Sequence, residues 1–119
     1  MRFLSIYKSP ERNTPPTQAE MDRMGKLIEE GMRAGWLLGT EGCLPSALGA
    51  RVRIDGDKFA VTDGPFAEAK EVVGGFALLQ AKSKEEALEL VKDFLKVVGT
   101  GECELRQLYE APVAQSAAS

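Results

Sequence analysis

Residues 75–109, GFALLQAKSKEEALELVKDFLKVVGTGECELRQLY, decide the fold because they carry a strand, a helix and a second strand in succession. The first part, GFALLQA, is almost continuously apolar, as in a central strand that is covered on both faces. The last part, ECELRQLY, alternates between polar and apolar residues, which is typical of a strand with one exposed face. This half of the chain therefore predicts a βαβ unit.

The helix between these two strands has a start signal and a stop signal. Ser83 and Glu86 have the spacing of an N-terminal capping box. Gly99 and Gly101 end the helix. The apolar residues between these signals recur at helical spacing, and they are Ala87, Leu88, Val91, Phe94, Leu95 and Val98. This stripe predicts an amphipathic helix that packs on the sheet.

The first half of the chain repeats the order strand, helix, strand. Residues 2–7 (RFLSIY) predict the first strand, and residues 36–43 (WLLGTEGC) predict a second one that two glycines make irregular. Between them, Thr17 and Glu20 form a capping box and Gly35 ends the helix. Its apolar side carries Met21, Met24, Leu27, Ile28 and Met32.

A hairpin separates the two halves. Residues 50–54 and 58–62 flank Asp55-Gly56-Asp57, where glycine accepts the positive φ of a tight turn. The complete order predicts an α+β fold of the ferredoxin-like type, a split βαβ sheet with an inserted hairpin and both helices on one face. We expect residues 1–110 to form this single domain and residues 111–119 to form a disordered tail.

Composition and charge narrow the classes of function. The 119 residues include 15 basic and 18 acidic ones without a basic run, so direct nucleic-acid binding is not expected. No apolar run approaches the ~20 residues that span a bilayer, and the N-terminus lacks the core of a signal peptide. We therefore expect a cytoplasmic protein with no membrane partner. The helix-free sheet face keeps apolar side chains, which predicts a homodimer.

The chain contains no histidine, and this restricts its chemistry. Ser-His-Asp and Cys-His pairs and His-ligated metal sites are excluded. Cys43 and Cys103 lie outside any CxxC spacing and are expected to be reduced thiols. We predict no cofactor and no metal ion, so any catalysis would use carboxylates, Lys, Tyr, Arg, Cys or backbone groups.

Residues 63–71, DGPFAEAKE, form the least ordinary stretch of the chain, and two interpretations stay open. In the first, Asp63, Gly64 and Pro65 form a rigid turn that needs no ligand. In the second, the segment lines a cleft in which several carboxylates surround one lysine, an arrangement suited to proton transfer or to binding a small polar ligand.

The second interpretation assigns roles to individual residues. The candidate catalytic residues are Asp63 and Glu71. The candidate ligand-binding residues are Glu41, Arg53, Gly64, Pro65, Phe66, Glu68 and Lys70. Arg51 and Arg53 alternate on one strand and could receive an anion, although charges of this kind on a hairpin are usually solvated.

The stretch VTDGPFAEAKE at residues 61–71, followed by Gly74-Gly75-Phe76, resembles the DGPF signature of the YCII-related proteins. The similarity extends to residues 39–42 (GTEG) and 51–53 (RVR). It implies a dimeric α+β barrel with a cleft near the DGPF segment. It also implies relatives that are encoded beside, or fused to, extracytoplasmic-function sigma factors, and a few that act on chlorinated aromatic-ring intermediates. The His-Asp pair proposed as catalytic in some members cannot operate here, because histidine is absent.

Two functions follow from these observations. The first is a dimeric small-molecule-binding protein with a carboxylate-based lyase or isomerase activity at the DGPF segment. The second is a non-catalytic interaction or regulatory module, linked to sigma-factor-associated regulation. A ligand-sized pocket that receives Asp63 would favour the first function, whereas an Asp63 carboxylate held by backbone N–H groups would favour the second.

Overall fold

A computed structural model describes residues 1–12 and 14–110 of the protein. The elements within these residues are β1 Arg2–Ser9, α1 Gln18–Ala34, β2 Leu37–Gly42, a 3-10 turn Ser46–Leu48, β3 Ala50–Asp55, β4 Lys58–Asp63, β5 Val72–Gln80, α2 Lys84–Val98 and β6 Glu102–Gln107. Every predicted helix and strand is present, with ends within three residues of the prediction. The tail predicted at residues 111–119 lies outside the described residues.

The main sheet has the strand order β2-β5-β1-β6, and all neighbouring strands are antiparallel. This is the order of a split βαβ sheet, so the predicted α+β, ferredoxin-like fold is confirmed. β5 lies between β1 and β2, as its apolar sequence predicted. The register of β2 against β5 shifts between Leu37 and Gly39, which explains the irregularity that the glycines indicated.

The core lies between the sheet and the helices. Its buried apolar residues are Phe3, Leu37, Leu79, Ala81, Ala87 and Val91. Val91 lies at the centre of the α2 stripe and is 8% exposed. The stripe of α1 is only partly buried: Ile28 packs against the core, whereas Met21 and Met32 are about half exposed.

Both helices begin at the predicted caps. At α1, the Glu20 N–H donates to the Thr17 hydroxyl at 3.2 Å and the Thr17 N–H donates to the Glu20 carboxylate at 2.7 Å, so the capping box is complete. At α2, the Glu86 N–H donates to Ser83 at 3.1 Å, but the Glu86 carboxylate accepts from the Lys82 N–H at 2.8 Å. The predicted capping box is therefore only half formed, and the preceding residue supplies the second donor.

The face of the main sheet opposite the helices carries apolar side chains at its centre. Side chains alternate along a strand, and Phe3 of β1 and Leu79 of β5 are buried on the helix side. Their strand neighbours point the other way and pair across the two strands as Leu4 with Leu78 and Ile6 with Phe76. We call these four residues the helix-free face.

The predicted hairpin is confirmed, and it forms a separate two-stranded sheet rather than part of the main one. β3 and β4 pair from Ala50 with Asp63 to Asp55 with Lys58, and the turn between them contains Gly56 at φ 67°. All residues from 50 to 63 are exposed, and we call residues 50–63 the arm. The Cα radius of gyration is 16.4 Å, larger than the roughly 13 Å expected of a compact domain of this length, so the fold is more extended than such a domain.

Candidate functional site

An open cleft of about 630 Å³ lies where the end of β1, the connection from β2 to β3 and the start of β5 meet the DGPF segment. Its volume is within the range of small-molecule sites. The polar or reactive residues that line it are Lys8, Cys43, Ser46, Arg51 and Glu71. The rest of the wall is mostly apolar and includes Leu44, Leu48, Phe66 and Val73. The cleft therefore combines apolar contact area with two cations and one carboxylate.

Ser46 joins three segments at the wall of this cleft. It is 9% exposed, and it donates its hydroxyl and its backbone N–H to the Glu11 carboxylate at 2.5 and 2.6 Å. Its hydroxyl oxygen also accepts the backbone N–H of Phe66 at 3.1 Å. The Ser46 hydroxyl and then its N–H hold the pKa of Glu11 below its usual range, so Glu11 is ionised at neutral pH. We call Glu11, Ser46 and Phe66 the clamp.

Gly64 packs directly against the same turn. A Cβ atom at this position would lie 1.6 Å from the carbonyl oxygen of Ser46, so any side chain would force the two backbones apart. The Gly64 N–H donates to the Gly49 carbonyl at 2.9 Å, and the peptide bond from Gly64 to Pro65 is cis. The hydrogen bonds described at this turn thus involve Gly49 and Ser46, which lie far away in sequence.

Arg51 forms a second wall of the cleft together with Phe66. Its guanidinium carbon lies 3.9 Å from the centroid of the Phe66 ring, a cation–π geometry. A guanidinium nitrogen of Arg51 also donates to the Glu68 carboxylate at 2.5 Å, and this bond holds the pKa of Glu68 below its usual range. The Glu68 carboxylate is therefore occupied by Arg51 and orients its guanidinium group. A guanidinium carries five N–H donors, so Arg51 keeps donors for an anion in the cleft.

Lys8 supplies the other cation. Its ammonium group donates to the Glu104 carboxylate at 2.9 Å, and this bond, supported by the charges of Glu104, Glu102 and Glu71, raises the pKa of Lys8. Lys8 is therefore protonated at neutral pH and cannot act as a base there. Among the described residues that line the cleft, Glu71 is the one carboxylate, the kind of group that could accept a proton from a bound molecule.

The predicted site residues fall into two groups, and the first group lies at the cleft. Phe66 and Glu71 line it. Gly64 and Pro65 form the turn that leads into Phe66, and Glu68 lies behind Arg51. The structure thus brings these five residues to one place, while the catalytic and binding roles assigned to them stay predictions.

The second group lies away from the lining. Glu41 is in β2 opposite Phe76. Arg53 is two positions farther out along the arm than Arg51. Asp63 lies at the base of the arm and is exposed, as is Lys70. Their proposed contacts with a ligand stay predictions as well.

Three charged or hydroxyl-bearing residues that were not predicted as site residues from the sequence line the cleft or hold it in shape. They are Lys8 at the end of β1, Glu11 in the loop that follows, and Ser46 in the 3-10 turn. Each lies outside the DGPF segment. One signal was available, because the segment Leu44-Pro45-Ser46 places a small polar residue directly after a proline, where a turn with buried polar contacts can form.

The thiols and carboxylates show no metal-binding arrangement. Within residues 1–12 and 14–110, no three His, Cys, Asp or Glu side chains come together in a way that could hold a metal ion. Cys43 and Cys103 are both free, and Cys43 is exposed at the cleft. Burial raises the pKa of Cys103. Neither of the two helices described is long and apolar enough to cross a membrane.

The split βαβ sheet with its added hairpin makes this protein a small α+β domain with a cleft beside the DGPF turn. The model of the YCII-related domain matches residues 1–111, and the chain belongs to this family. A stretch of 66 residues is 38% identical to an uncharacterised protein of Rhizobium meliloti (strain 1021). That match covers 55% of this chain and 53% of the relative, so it spans about half the length of the relative.

A solved structure supports the fold over nearly the whole chain. The protein is similar to 5-chloro-2-hydroxyhydroquinone dehydrochlorinase (TftG) from Burkholderia phenoliruptrix AC1100, determined in complex with 2,5-dihydroxybenzoquinone. The TM-score is 0.51 and the identity 19%, and the alignment covers 92% of this chain and 94% of that one. At this identity the likeness shows the fold alone.

Proposed function

We propose that the protein binds a small, anionic, partly apolar molecule in the cleft at the DGPF segment. The observation that carries this proposal is the pair of cations in an otherwise largely apolar wall. Lys8 and Arg51 both line the cleft, and carboxylates outside its lining, Glu104 and Glu68, hold them in place. Apolar walls supply contact area, while a few oriented charges fix the position of an acidic group.

The chemistry that suits this arrangement is proton transfer of the lyase or isomerase type. Such a reaction needs a base that removes a proton and a positive charge that stabilises the anion formed. Glu71 is the candidate base, and Lys8 is the candidate cation because its raised pKa keeps it protonated. The dehydrochlorination named for TftG belongs to the same broad class and supports the proposal by similarity of fold.

Asp63 is the second carboxylate that we predict to be catalytic, and we propose a different task for it from that of Glu71. It lies where the arm joins the DGPF turn, opposite Ala50 of the cleft wall. From there it can act on a ligand that extends beyond the cleft. A variant of Asp63 should therefore affect a long ligand more than a compact one.

The exposed arm favours a second candidate function, that of a non-catalytic interaction or regulatory module. Its large apolar side chains Val52, Ile54, Phe59 and Val61 are 60–72% exposed. Exposed apolar patches of this kind mark sites of protein–protein contact. A partner linked to sigma-factor regulation would fit this module, and the two candidates differ in whether the cleft has to bind a small molecule.

We also propose that the protein is a cytoplasmic homodimer in which the helix-free faces of two copies pack together. Leu4, Ile6, Phe76 and Leu78 form an apolar surface that a second sheet would cover, and Phe76 is 37% exposed. Burying such a surface between two copies removes apolar area from water. The family resemblance, which implies a dimeric α+β barrel, supports the same arrangement.

Binding of 2,5-dihydroxybenzoquinone tests the proposed cleft. This planar acidic ring is anionic at neutral pH, and intact-mass measurement after incubation controls for an adduct on Cys43. We expect the probe to raise the melting temperature, because a ligand of the native state stabilises it. Arg51→Gln should weaken binding by about 10-fold or more, as expected for loss of a charge-assisted hydrogen bond. Glu89→Gln, on the exposed surface of α2, should bind like the wild type.

The same probe separates binding from chemistry. Glu71→Gln should keep the melting temperature of the free protein and retain binding, but should abolish any proton exchange or turnover of a bound substrate. The binding proposal fails if neither this probe nor a panel of small carboxylic acids and phenols stabilises the wild type. It also fails if Arg51→Gln and Lys8→Gln bind the probe as tightly as Glu89→Gln does.

A further inference from the structure

The arm has one apolar face and one polar face. The register of β3 and β4 pairs Val52 with Val61 and Ile54 with Phe59 and shows no bulge, so these four side chains share one face. They are 67%, 64%, 60% and 72% exposed in that order. The opposite face carries Arg51, Arg53, Asp55, Lys58, Ala60 and Thr62. Such strict alternation is typical of a sheet with one covered face.

The described part of the chain does not cover this apolar face. The described side-chain contacts of the arm with the body lie at its base, where Arg51 stacks on Phe66 and donates to Glu68. A two-stranded sheet alone is at best marginally stable in water. Long strands with free edges and apolar side chains also tend to associate with other chains. The arm therefore has the exposed apolar side chains and free strand edges that favour contact with another protein surface.

We propose that a second copy of this chain covers the apolar face of the arm. This inference rests on the homodimer proposed above and adds a second contact to it. A specific interface buries about 800 Å² on each partner. The helix-free face offers little of that area, because Leu4, Ile6 and Leu78 are already partly buried and Phe76 is only 37% exposed. The four arm residues are far more exposed and supply the larger share.

Symmetry supports a second copy as the partner. In a two-fold dimer every surface is used twice, so one arm contact adds the apolar faces of two arms to the interface. The arm also has a sequence suited to pairing with itself or with another sheet, because Val52, Ile54 and Val61 are β-branched and Phe59 is aromatic. An interface of this composition is expected to be permanent rather than transient.

The arm contact would also shape the cleft. Arg51 lies on β3 directly beside Val52 and points to the opposite face. A partner that holds the apolar face therefore fixes the orientation of the arm and, with it, the position of Arg51 against Phe66. In this arrangement Val52 and Phe59 are positioning residues for the cleft, and a monomer would bind an anion less tightly than a dimer.

Sedimentation of matched variants tests the inference. Phe59→Asp places a charge on the apolar face, and Ala60→Asp places the same charge one residue later on the polar face. Both positions are exposed, so neither variant should lose its fold. We expect the wild type to be a dimer. Phe59→Asp should raise the dimer dissociation constant at least about 30-fold, as expected for loss of an aromatic residue at the centre of an interface. Ala60→Asp should leave this constant nearly unchanged.

Two further measurements keep the inference separate from the proposals on which it rests. A wild type that is monomeric at all accessible concentrations would refute the homodimer and the arm contact together. If the wild type is dimeric and Phe59→Asp leaves the dimer intact while Phe76→Ser weakens it, the arm contact alone is refuted. Binding of 2,5-dihydroxybenzoquinone completes the test: dimeric Ala60→Asp should bind like the wild type, and a monomeric Phe59→Asp that binds equally well would refute the link to the cleft.

Discussion

Replacing Ser46 with alanine tests whether the clamp holds the DGPF segment in place. The change removes one oxygen from a residue that is 9% exposed and leaves the backbone unaltered. Two hydrogen bonds are lost, one in which the Ser46 hydroxyl donates to Glu11 and one in which it accepts the Phe66 N–H. The hydrogen bond from the Ser46 N–H to Glu11 can remain.

The expected loss of stability follows from the group that is left without a partner. The Phe66 N–H is partly buried, and an unsatisfied buried donor costs about 1–3 kcal/mol. Loss of the Glu11 contact destabilises the same turn further. Since total stabilities are about 5–15 kcal/mol, the variant should still fold. A change of this size lowers the melting temperature of a domain of about 100 residues by roughly 5–15 °C.

Thermal and urea denaturation followed by circular dichroism measure this effect. Ser9→Ala is the matched control, because the Ser9 hydroxyl makes only an exposed 3.3 Å contact with Pro10 and its loss should leave the melting temperature nearly unchanged. Binding of 2,5-dihydroxybenzoquinone should weaken in Ser46→Ala but not in Ser9→Ala. If Ser46→Ala melts like the wild type, the clamp does not hold the DGPF segment and the reasoning is wrong.

Three further predictions concern other parts of the molecule. Val91→Asp should unfold the protein, seen as loss of the cooperative melting transition, because a buried unpaired charge costs several kcal/mol at a site that is 8% exposed. Asp63→Ala should lower the melting temperature less than Ser46→Ala does, because Asp63 is exposed; a larger drop would show that its carboxylate orders the turn. Hydrogen bonds from Arg12 and Thr17 lower the pKa of Glu20 to about 2. The ionised Glu20 carboxylate therefore stabilises the folded state fully above its unfolded pKa of about 4.3, and this stabilisation is lost as the pH falls through about 2. Urea titrations across that range should give a flatter pH dependence for Glu20→Gln.

The fold could be predicted because its main signals are local. Thr17 caps α1 with a residue three positions away, and Gly35 ends the helix at φ 89°. Gly56 provides the positive φ of the hairpin turn. These contacts form within a few residues, so the sequence alone reveals them. The start of β5 was predicted three residues late, because Val72 joins the strand by pairing with Ser9, a contact that depends on a distant segment.

From the sequence, residues of the cleft could be predicted only where they lie together in one segment of the chain. The DGPF stretch led to Phe66 and Glu71, which line the cleft. Glu11 and Ser46 were missed because they lie 35 positions apart in different loops and meet only in the folded chain. Pro45 before Ser46 indicates a turn, but it does not indicate that the turn meets Glu11. The exposure of the arm was also unpredictable, since alternation in β3 indicates that one face is covered but does not say by what.

The charged residues of the cleft indicate which substitution distinguishes an enzyme from a binding protein. Proton transfer at neutral pH usually relies on histidine, which this chain lacks. Lys8 is held as a cation by Glu104, and Glu68 is bound to Arg51, so none of these groups is free to take a proton from a ligand. We therefore predict that a proton transfer within the cleft uses Glu71, the one carboxylate among the described residues that line it. If a ligand is found that binds the wild type and Glu71→Gln equally well, and neither protein changes it chemically, the cleft is a binding site for that ligand rather than a site of catalysis. If only the wild type converts it, and the product has lost a small molecule or is an isomer of the ligand, the lyase or isomerase proposal is supported, because the substitution removes the carboxylate of the cleft lining and leaves both cations in place.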